Sequence, residues 1–562
     1  MEQQEREGPG ELIASCSSYE EALKRFEWRI PEYFNIGVDV CDRWAASDPQ
    51  RCALIELGST GTRETSFEAL RLRSNRIANL LNSLGLRRGD RVGVLTSQGV
   101  DTAAIHIAIY KSGAIAVPLF LLFGADSLFH RLADSEARFL FADTSAMPQI
   151  GAISGQLAEL AHVIEVGAPV ERTAGLEARL DSMPDEFEPV RTRADDPALI
   201  IYTSGTTGPS KGALHAHRVL LGHLPGVEMS HDGFPQPGDR IWTPADWAWI
   251  GGLLDVLMPA LHHGVGVVAH RLAKFDAEEA FEVISRCGVR NLFLPPTALK
   301  MMRLVASPAE RWTLEIRTIA SGGETLGSDL LEWGRRTLGV TINEFYGQTE
   351  CNMVLSSCAR WFEPELGAIG RPVPGHHVAV IGSQGEILAP GDEGDIAVAG
   401  PDPVMFLGYW NQPEATAEKF RGNWLVTGDR GSLDASGFAR FLGRGDDVIT
   451  TAGYRIGPGE IEDCILKHPG VVAVGVVGVP DRARTEVVAA VVVPRDGVHD
   501  SDRLAADIQQ WVRDRLGAHQ YPRIVHFVDA LPLTVTGKIM RRRLRDLLTP
   551  GPGDGFSLSS GP

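Results

Sequence analysis

From about residue 65, helix-period segments alternate with short apolar runs. The segment 67–84 is followed by the run 91–95, and further apolar runs fall at 114–119, 139–142, 199–202, 265–269, 291–294 and 318–320. Amphipathic stretches such as 277–287 and 328–337 lie between them. Short runs that are apolar throughout are strands buried on both faces, and intervening helices cover those faces, so the pattern predicts an α/β fold with parallel sheets. The apolar region 103–129 is broken by Lys111, Gly113, Pro118 and Gly124. It therefore reads as a buried helix and strand rather than a membrane span. At 562 residues the chain exceeds a single core.

After about residue 445 the pattern changes. A helix is expected over 459–468, then two valine-rich strands over 471–479 and 486–493. A helix over 502–516, a strand over 524–528 and a basic helix over 537–548 follow. This is the composition of a small α+β unit. The expected organisation is a large N-terminal domain of helix-covered sheets over 1–445 and a small α+β C-terminal domain over 446–548. The Gly-, Pro- and Ser-rich tail 549–562 is expected to be disordered.

A net charge of −18 argues against a general nucleic-acid binder, which needs a basic face. Seven scattered cysteines with no C-x-x-C pattern suit reduced thiols in a cytoplasmic protein and provide no zinc-ligand spacing. The opening residues MEQQEREGPG lack the basic and apolar regions of a signal peptide, and their acidity does not suit a transit peptide.

The most informative segment is Tyr202-Thr203-Ser204-Gly205-Thr206-Thr207-Gly208-Pro209-Ser210-Lys211-Gly212, directly after an apolar strand. Glycines permit close backbone approach to a ligand, hydroxyls and amides donate, and Lys211 adds positive charge. Such a loop suits a polyphosphate. It is not a Walker A loop, because Lys211 precedes a glycine and the required G-K-[ST] ending is absent.

This segment resembles the phosphate loop of the adenylate-forming superfamily, which includes acyl-CoA synthetases, firefly luciferase and peptide adenylation domains. One departure is that Ser210 occupies the place of the usual proline before Lys211. Further motifs follow in family order across roughly 34–548. The resemblance implies that Thr203, Ser204, Gly205, Thr206, Thr207, Gly208 and Lys211 wrap the phosphates of ATP. Gly322, Gly323 and Glu324 would lie at the adenine and the acyl carboxylate. In Glu344-Phe345-Tyr346-Gly347-Gln348-Thr349-Glu350, Tyr346 would face the adenine, Thr349 the α-phosphate, and Glu350 would hold Mg²⁺. A single carboxylate with phosphate oxygens and water suits that ion. Asp429 and Arg444 would hold the ribose and nucleotide, Asp446 would be the hinge of a mobile C-terminal domain, and Lys538 would be the adenylation lysine.

Within the superfamily the wording is most similar to medium-chain acyl-CoA synthetases and acetyl-CoA synthetase-like enzymes. Ala452, Gly453, Tyr454 and Arg455, with Tyr521, Pro522 and Arg523, match CoA contacts. The expected activity is an AMP-forming acid–thiol ligase with ATP, CoA and a small carboxylate as substrates. Gly347 stands where acetate enzymes of the family carry tryptophan, so an acid larger than acetate is expected: medium-chain, branched or aryl. Trp247, Trp249, Gly251 and Gly252 are the expected pocket wall, although both indoles equally suit core packing. Alternatives are acyl transfer to another acceptor, an acetyl- or propionyl-CoA synthetase, and a non-catalytic nucleotide-binding regulator. His215 and His217 are expected to be structural rather than metal ligands. The basic flank of Lys538 suggests a lysine acetyltransferase as a partner.

Overall fold

The alternating pattern forms two parallel-rich sheets in the computed structural model, which describes residues 13, 15–58, 61–167, 175–203, 210–272, 274–324, 326–444, 447, 449–451, 454–481, 485–495, 501–516, 520–534 and 538–548. Within these, the side chains of 450, 451, 454–456, 460 and 485 are not described. The expected tail 549–562 and the hinge residue Asp446 lie outside the described residues. The chain divides into two units, Met1–Val378 with Val398–Leu425, and Ala379–Ala397 with Val426–Pro562.

In the first unit, strands His162–Val166, Phe139–Asp143, Arg91–Leu95, Ile115–Pro118 and Pro197–Thr203 run parallel as neighbours. Lys211–Ala216 and Gly408–Tyr409 extend this sheet antiparallel. The second sheet has Ile342–Gln348, Thr318–Gly322, Asn291–Phe293, Arg240–Trp242, Gly266–Val268 and Cys52–Leu57 as successive parallel strands, with antiparallel strands at both edges. Every apolar run named from the sequence is a strand of one of these sheets.

The covering helices start and stop where their caps dictate. Ala277–Cys287 begins at Asp276, whose carboxylate accepts from the Glu278 and Glu279 amides, and ends at Gly288 with φ 61°. Phe67–Ser83 begins at Ser66, whose hydroxyl accepts from the Ala69 amide. Val100–Lys111 is buried from Thr102 onward. Its last residue, Lys111, is fully buried, with Nζ 2.5 Å from Asp42 Oδ1 and donating to Ser74 Oγ and Asn75 Oδ1 at 2.9 Å. Among the described residues, no helix is long and apolar enough to cross a membrane.

In the second unit, Val471–Asp481 and Thr485–Pro494 form a long antiparallel hairpin, and Ile524–Phe527 joins the latter in parallel. Pro458–Leu466 and Ser501–Arg515 contribute to its main core. The expected helix over 537–548 begins only at Arg541. Before it the backbone is held extended, because Leu533 bridges Ile539 and the Met540 amide donates to Pro532 O.

Candidate active site

The strands that flank the phosphate-loop segment pair antiparallel. Thr203 ends one strand and pairs with Lys211, which begins the next. Gly212 is required there, because a Cβ would lie 2.8 Å from Ile200 Cγ2 and 3.2 Å from the Tyr202 ring. Ser204, Gly205, Thr206, Thr207 and Gly208 lie outside the described residues. At the hairpin base, the Ser210 carbonyl accepts from His130 Nε2 at 2.9 Å.

Lys211 Nζ lies 5.1 Å from the centre of the Tyr409 ring. A cation over an aromatic face is attracted by the ring quadrupole. The Tyr409 hydroxyl donates to Glu350 Oε1, and the Glu350 carbonyl accepts from the Phe406 amide at 2.9 Å. Tyr409 is itself positioned by pairing with Ala213 and by its amide donating to Thr416 Oγ1 at 2.8 Å. One phenol thus connects Lys211 with Glu350, two residues that sequence reading assigned separately. Sequence reading missed Tyr409, whose segment carries no phosphate-loop chemistry of its own.

Thr349 and Glu350 are the two-residue turn between paired Gln348 and Cys351. Beyond it the register slips, and Met353 adopts φ 55°. This bulge lies against Gly347, where a Cβ would overlap Asn352 Oδ1 and the Met353 amide nitrogen. Gly347 therefore has a backbone reason as well as the expected pocket reason, and an indole there would have to displace the bulge. Tyr346, Gly347, Gln348 and Thr349 are half-buried, while Phe345 is buried against Phe293 with ring centroids 5.3 Å apart.

Gly322 lies in register with Phe345, and its absent Cβ would meet that ring at 2.7 Å. Gly323 takes φ 90° with open space where its side chain would stand, so the strand ends in a turn that favours glycine. Thr297 Oγ1 lies 3.1 Å from each Glu324 carboxylate oxygen and donates to that group. Glu344 Oε1 accepts from the Leu326 amide at 3.2 Å, which fixes a buried carboxylate behind the turn.

Of the expected wall, Trp247 is a core side chain, 2% exposed. Trp249 is half-buried against Phe120 and Phe123, each 5.7 Å away by ring centroid. Gly252 is held by close backbone approach, 2.8 Å from its absent Cβ to the Ala245 carbonyl. Asp246, just before the indoles, accepts from the Ala248 amide at 2.9 Å, and burial pushes its carboxyl up to about 6. His215 and His217 are fully buried, and burial lowers both to about 3, so they are neutral imidazoles at pH 7. Among the described residues no group of three or more His, Cys, Asp or Glu could hold a metal ion.

The second unit carries the remaining groups. Asp429 and Arg444 are directly paired across a hairpin, with Arg444 Nη1 donating to Asp429 Oδ1 at 2.9 Å. Gly428, beside them, has φ 79°. Lys538 is exposed; its carbonyl accepts from the Thr534 amide at 2.7 Å and its amide donates to Thr534 Oγ1 at 3.0 Å. It is not on a helix. Tyr454 and Arg455 lie in a short strand, Tyr454–Ile456, and their side chains are outside the described set, as are Ala452 and Gly453 altogether. Tyr521 has two guanidinium groups over its ring, Arg513 at 4.3 Å and Arg523 at 5.1 Å, and Pro522 between is buried. Arg513 is a cation that sequence reading missed, since it lies in the preceding helix.

Comparison with known proteins finds relatives across nearly the whole chain. The model of the AMP-binding enzyme family matches residues 41–410, and that of the AMP-binding enzyme C-terminal domain matches 460–538. The chain is 33% identical over 539 residues to acyl-coenzyme A synthetase ACSM2, mitochondrial, of Rattus norvegicus, spanning 93% of this chain and 94% of that protein. It is 31% identical over 551 residues to acetyl-coenzyme A synthetase of Bacillus subtilis (strain 168), spanning 94% and 95% respectively. Among solved structures it matches the anthranilate CoA ligase AuaEII in complex with anthranoyl-AMP at a TM-score of 0.85 and 28% identity, covering 92% of this chain and 98% of that one. The chain belongs to the AMP-binding enzyme family, in its acyl-CoA synthetase branch.

Proposed function

We propose that this enzyme converts ATP, CoA and a carboxylic acid larger than acetate into acyl-CoA, AMP and pyrophosphate through an acyl-adenylate. In the first step a carboxylate oxygen attacks the α-phosphorus and pyrophosphate leaves. In the second the CoA thiol attacks the acyl carbonyl and AMP leaves. The observation that carries the reading is the Lys211–Tyr409–Glu350 arrangement at the base of the phosphate-loop hairpin. It supports the reading because a cation and an oriented carboxylate come together where the strands flanking the proposed phosphate loop pair.

Mg²⁺ fits this site. Glu350 is a buried carboxylate oriented by the Tyr409 phenol, and an ion that takes most of its ligands from phosphate and water needs little more from the protein. Bound there, it would neutralise phosphate charge. Thr203, Thr349 and the loop 204–208 would hold the phosphates, with Gly322, Gly323, Glu324, Glu344, Phe345, Tyr346 and Gln348 around the adenine and acyl carboxylate. Asp429 with Arg444 would take the ribose. Lys538 would stabilise charge as it builds at the α-phosphate. Its exposure also suits a lysine acetyltransferase, whose product would lack that charge.

The C-terminal domain 446–548 would turn about Asp446 between the two steps. CoA phosphates would meet Arg455 and Arg523, with Ala452, Gly453, Tyr454, Tyr521 and Pro522 shaping that channel. Trp249, Gly251, Gly252 and Gly347 would border the acyl group, with Trp247 behind them in the core. A cytoplasmic location is supported by seven free cysteines. The rat relative is mitochondrial by name.

The test is AMP release from ATP over a panel of acids from acetate to dodecanoate plus benzoate, with and without CoA. CoA-dependent turnover of one acid class, with acetate poor, is expected. Pyrophosphate release indifferent to CoA would move the protein to another branch of the family.

A further inference from the structure

Two glycines of the expected acyl wall, Gly251 and Gly347, are far apart in sequence yet border the same buried polar group. A Cβ at Gly251 would lie 3.6 Å from Asp255 Oδ2 and 2.8 Å from the Phe293 ring. A Cβ at Gly347 would overlap Asn352 Oδ1. Asn352 in turn donates from Nδ2 to both carboxylate oxygens of Asp255, at 2.7 and 2.8 Å. Asp255 is 2% exposed and sits in the π-helical turn Leu253–Leu257. π-Turns inside α-helices are frequent at functional sites.

The third member is His223, fully buried, with Nε2 3.8 Å from Asp255 Oδ1. It is not a counter-charge. Its Nδ1 lies 2.8 Å from the Val219 carbonyl, which only accepts, so the ring proton is on Nδ1. Burial lowers the imidazole to about 4, so it is neutral at pH 7 and Nε2 presents a lone pair. Among the described residues that nitrogen has no hydrogen-bond partner, and 3.8 Å is beyond hydrogen-bond reach. Burial also raises the Asp255 carboxyl well above its ordinary value, and both its oxygens accept from Asn352, so the atom left without a donor is His223 Nε2. Buried polar groups are normally satisfied, and an unpartnered nitrogen beside the group that the two wall glycines border calls for a donor from the ligand.

We infer that Asp255, Asn352 and His223 form the far end of the acyl pocket, and that the preferred acid carries a hydrogen-bond donor, an amine or a hydroxyl, remote from its carboxylate. This rests on the proposed acyl-CoA synthetase reading, in which Gly251 and Gly347 border the acyl group. His223 Nε2 would accept from the donor, with Asp255 beside it as a further polar partner whose plane Asn352 fixes. A pocket built to pair a polar substituent rejects an analogue that lacks it, because the site's own groups are left unpaired.

The experiment measures kcat/KM for CoA-dependent AMP release with matched acids. The pairs are benzoate against 3- and 4-amino- and hydroxybenzoate, and hexanoate against 6-amino- and 6-hydroxyhexanoate. At least one donor-bearing acid should exceed its parent by about 100-fold or more. The amino and hydroxyl arms distinguish the two donor types. Asp255→Leu should bring parent and substituted acid to within a few-fold. Should that variant not fold, Asp255→Asn keeps the size and should still cut the preference about tenfold. Parent acids that match or exceed every substituted analogue in the wild type overturn the inference, as does a preference unchanged in a folded Asp255 variant. CoA-dependent turnover of a parent acid leaves the acyl-CoA synthetase reading standing when the inference fails, whereas no turnover of any acid overturns both.

Discussion

The Tyr409 hydroxyl donates to Glu350 Oε1. This bond does to a proposed Mg²⁺ ligand what second-layer partners generally do: it fixes the orientation of the carboxylate and its electron density. Tyr409→Phe keeps the ring under Lys211 and removes only the hydroxyl. We expect a loss of roughly 10- to 100-fold in adenylation at limiting Mg²⁺, partly recovered at high Mg²⁺. Pyrophosphate release titrated against Mg²⁺ reads this directly. An unchanged Mg²⁺ requirement would show that the phenol acts only in packing.

The adenylation role proposed for Lys538 would separate the two half-reactions. Its backbone is held by Thr534 rather than by a helix, so replacing its side chain leaves those bonds intact. Lys538→Ala is expected to lower acyl-adenylate formation by about 100- to 1,000-fold, the range for loss of a charge-stabilising donor. Acyl transfer to CoA from a preformed acyl-adenylate should change by no more than a few-fold. Equal losses in both assays would remove Lys538 from its proposed role.

The guanidinium pair over Tyr521 places charge where a CoA phosphate is expected. Arg523→Ala and Arg513→Ala should each raise the KM for CoA about tenfold, as loss of one charge-assisted phosphate contact does. The KM for ATP in the pyrophosphate assay serves as the comparison. A rise in the ATP value instead would assign these arginines to the nucleotide.

The parallel sheets were legible because each strand is an apolar run bounded by turn residues, as at 91–95 and 139–143. The order of motifs likewise led to the family. What escaped reading depends on residues brought together only by folding. Tyr409 reaches Glu350 across 59 positions, and Asp255 reaches Asn352 across 97, with no periodic signal to join them. The bulge at Met353 and the π-turn at Leu253–Leu257 are irregularities that a periodic pattern cannot encode. The basic run after Lys538 misled for a related reason. Its helical period begins at Arg541, but the extended pairing of Leu533 with Ile539 wins at Lys538.

Lys111 and Asp42 make an asymmetric buried pair. Lys111 is completely buried, whereas the Asp42 side chain keeps 22% of its exposure. Removing the carboxylate strands a charge with no route to water, so Asp42→Ala should cost about 3–5 kcal/mol. Lys111→Met should cost less, because the carboxylate left behind retains solvent and the methionine refills the space. Urea unfolding of both variants and of the double variant tests the order. A larger loss for Lys111→Met would mean that packing of the lysine stem, not the charge, dominates.

Six histidines held neutral by burial set the acid limit of the fold. Burial lowers His106, His215, His217 and His231 to about 3, His223 to about 4 and His263 well below its ordinary value. In the unfolded chain each would titrate near its ordinary value of about 6.5. Between these values the unfolded state binds more protons, so stability rises with pH through that window and is lost as pH falls. Each histidine contributes at most about 1.4 kcal/mol per pH unit. Asp246, raised to about 6, works in the opposite sense, since its folded form takes up a proton before the unfolded form does. Burial raises Asp42, Asp255 and Glu462 as well, and these four carboxyls soften the slope without offsetting six imidazoles. The urea midpoint should therefore be flat above pH 7 and fall steeply from 6.5 to 5. His106→Gln, neutral at every pH, should reduce that slope by about one proton's share. A midpoint that holds steady down to pH 5 would mean that these histidines reach water and protonate without unfolding.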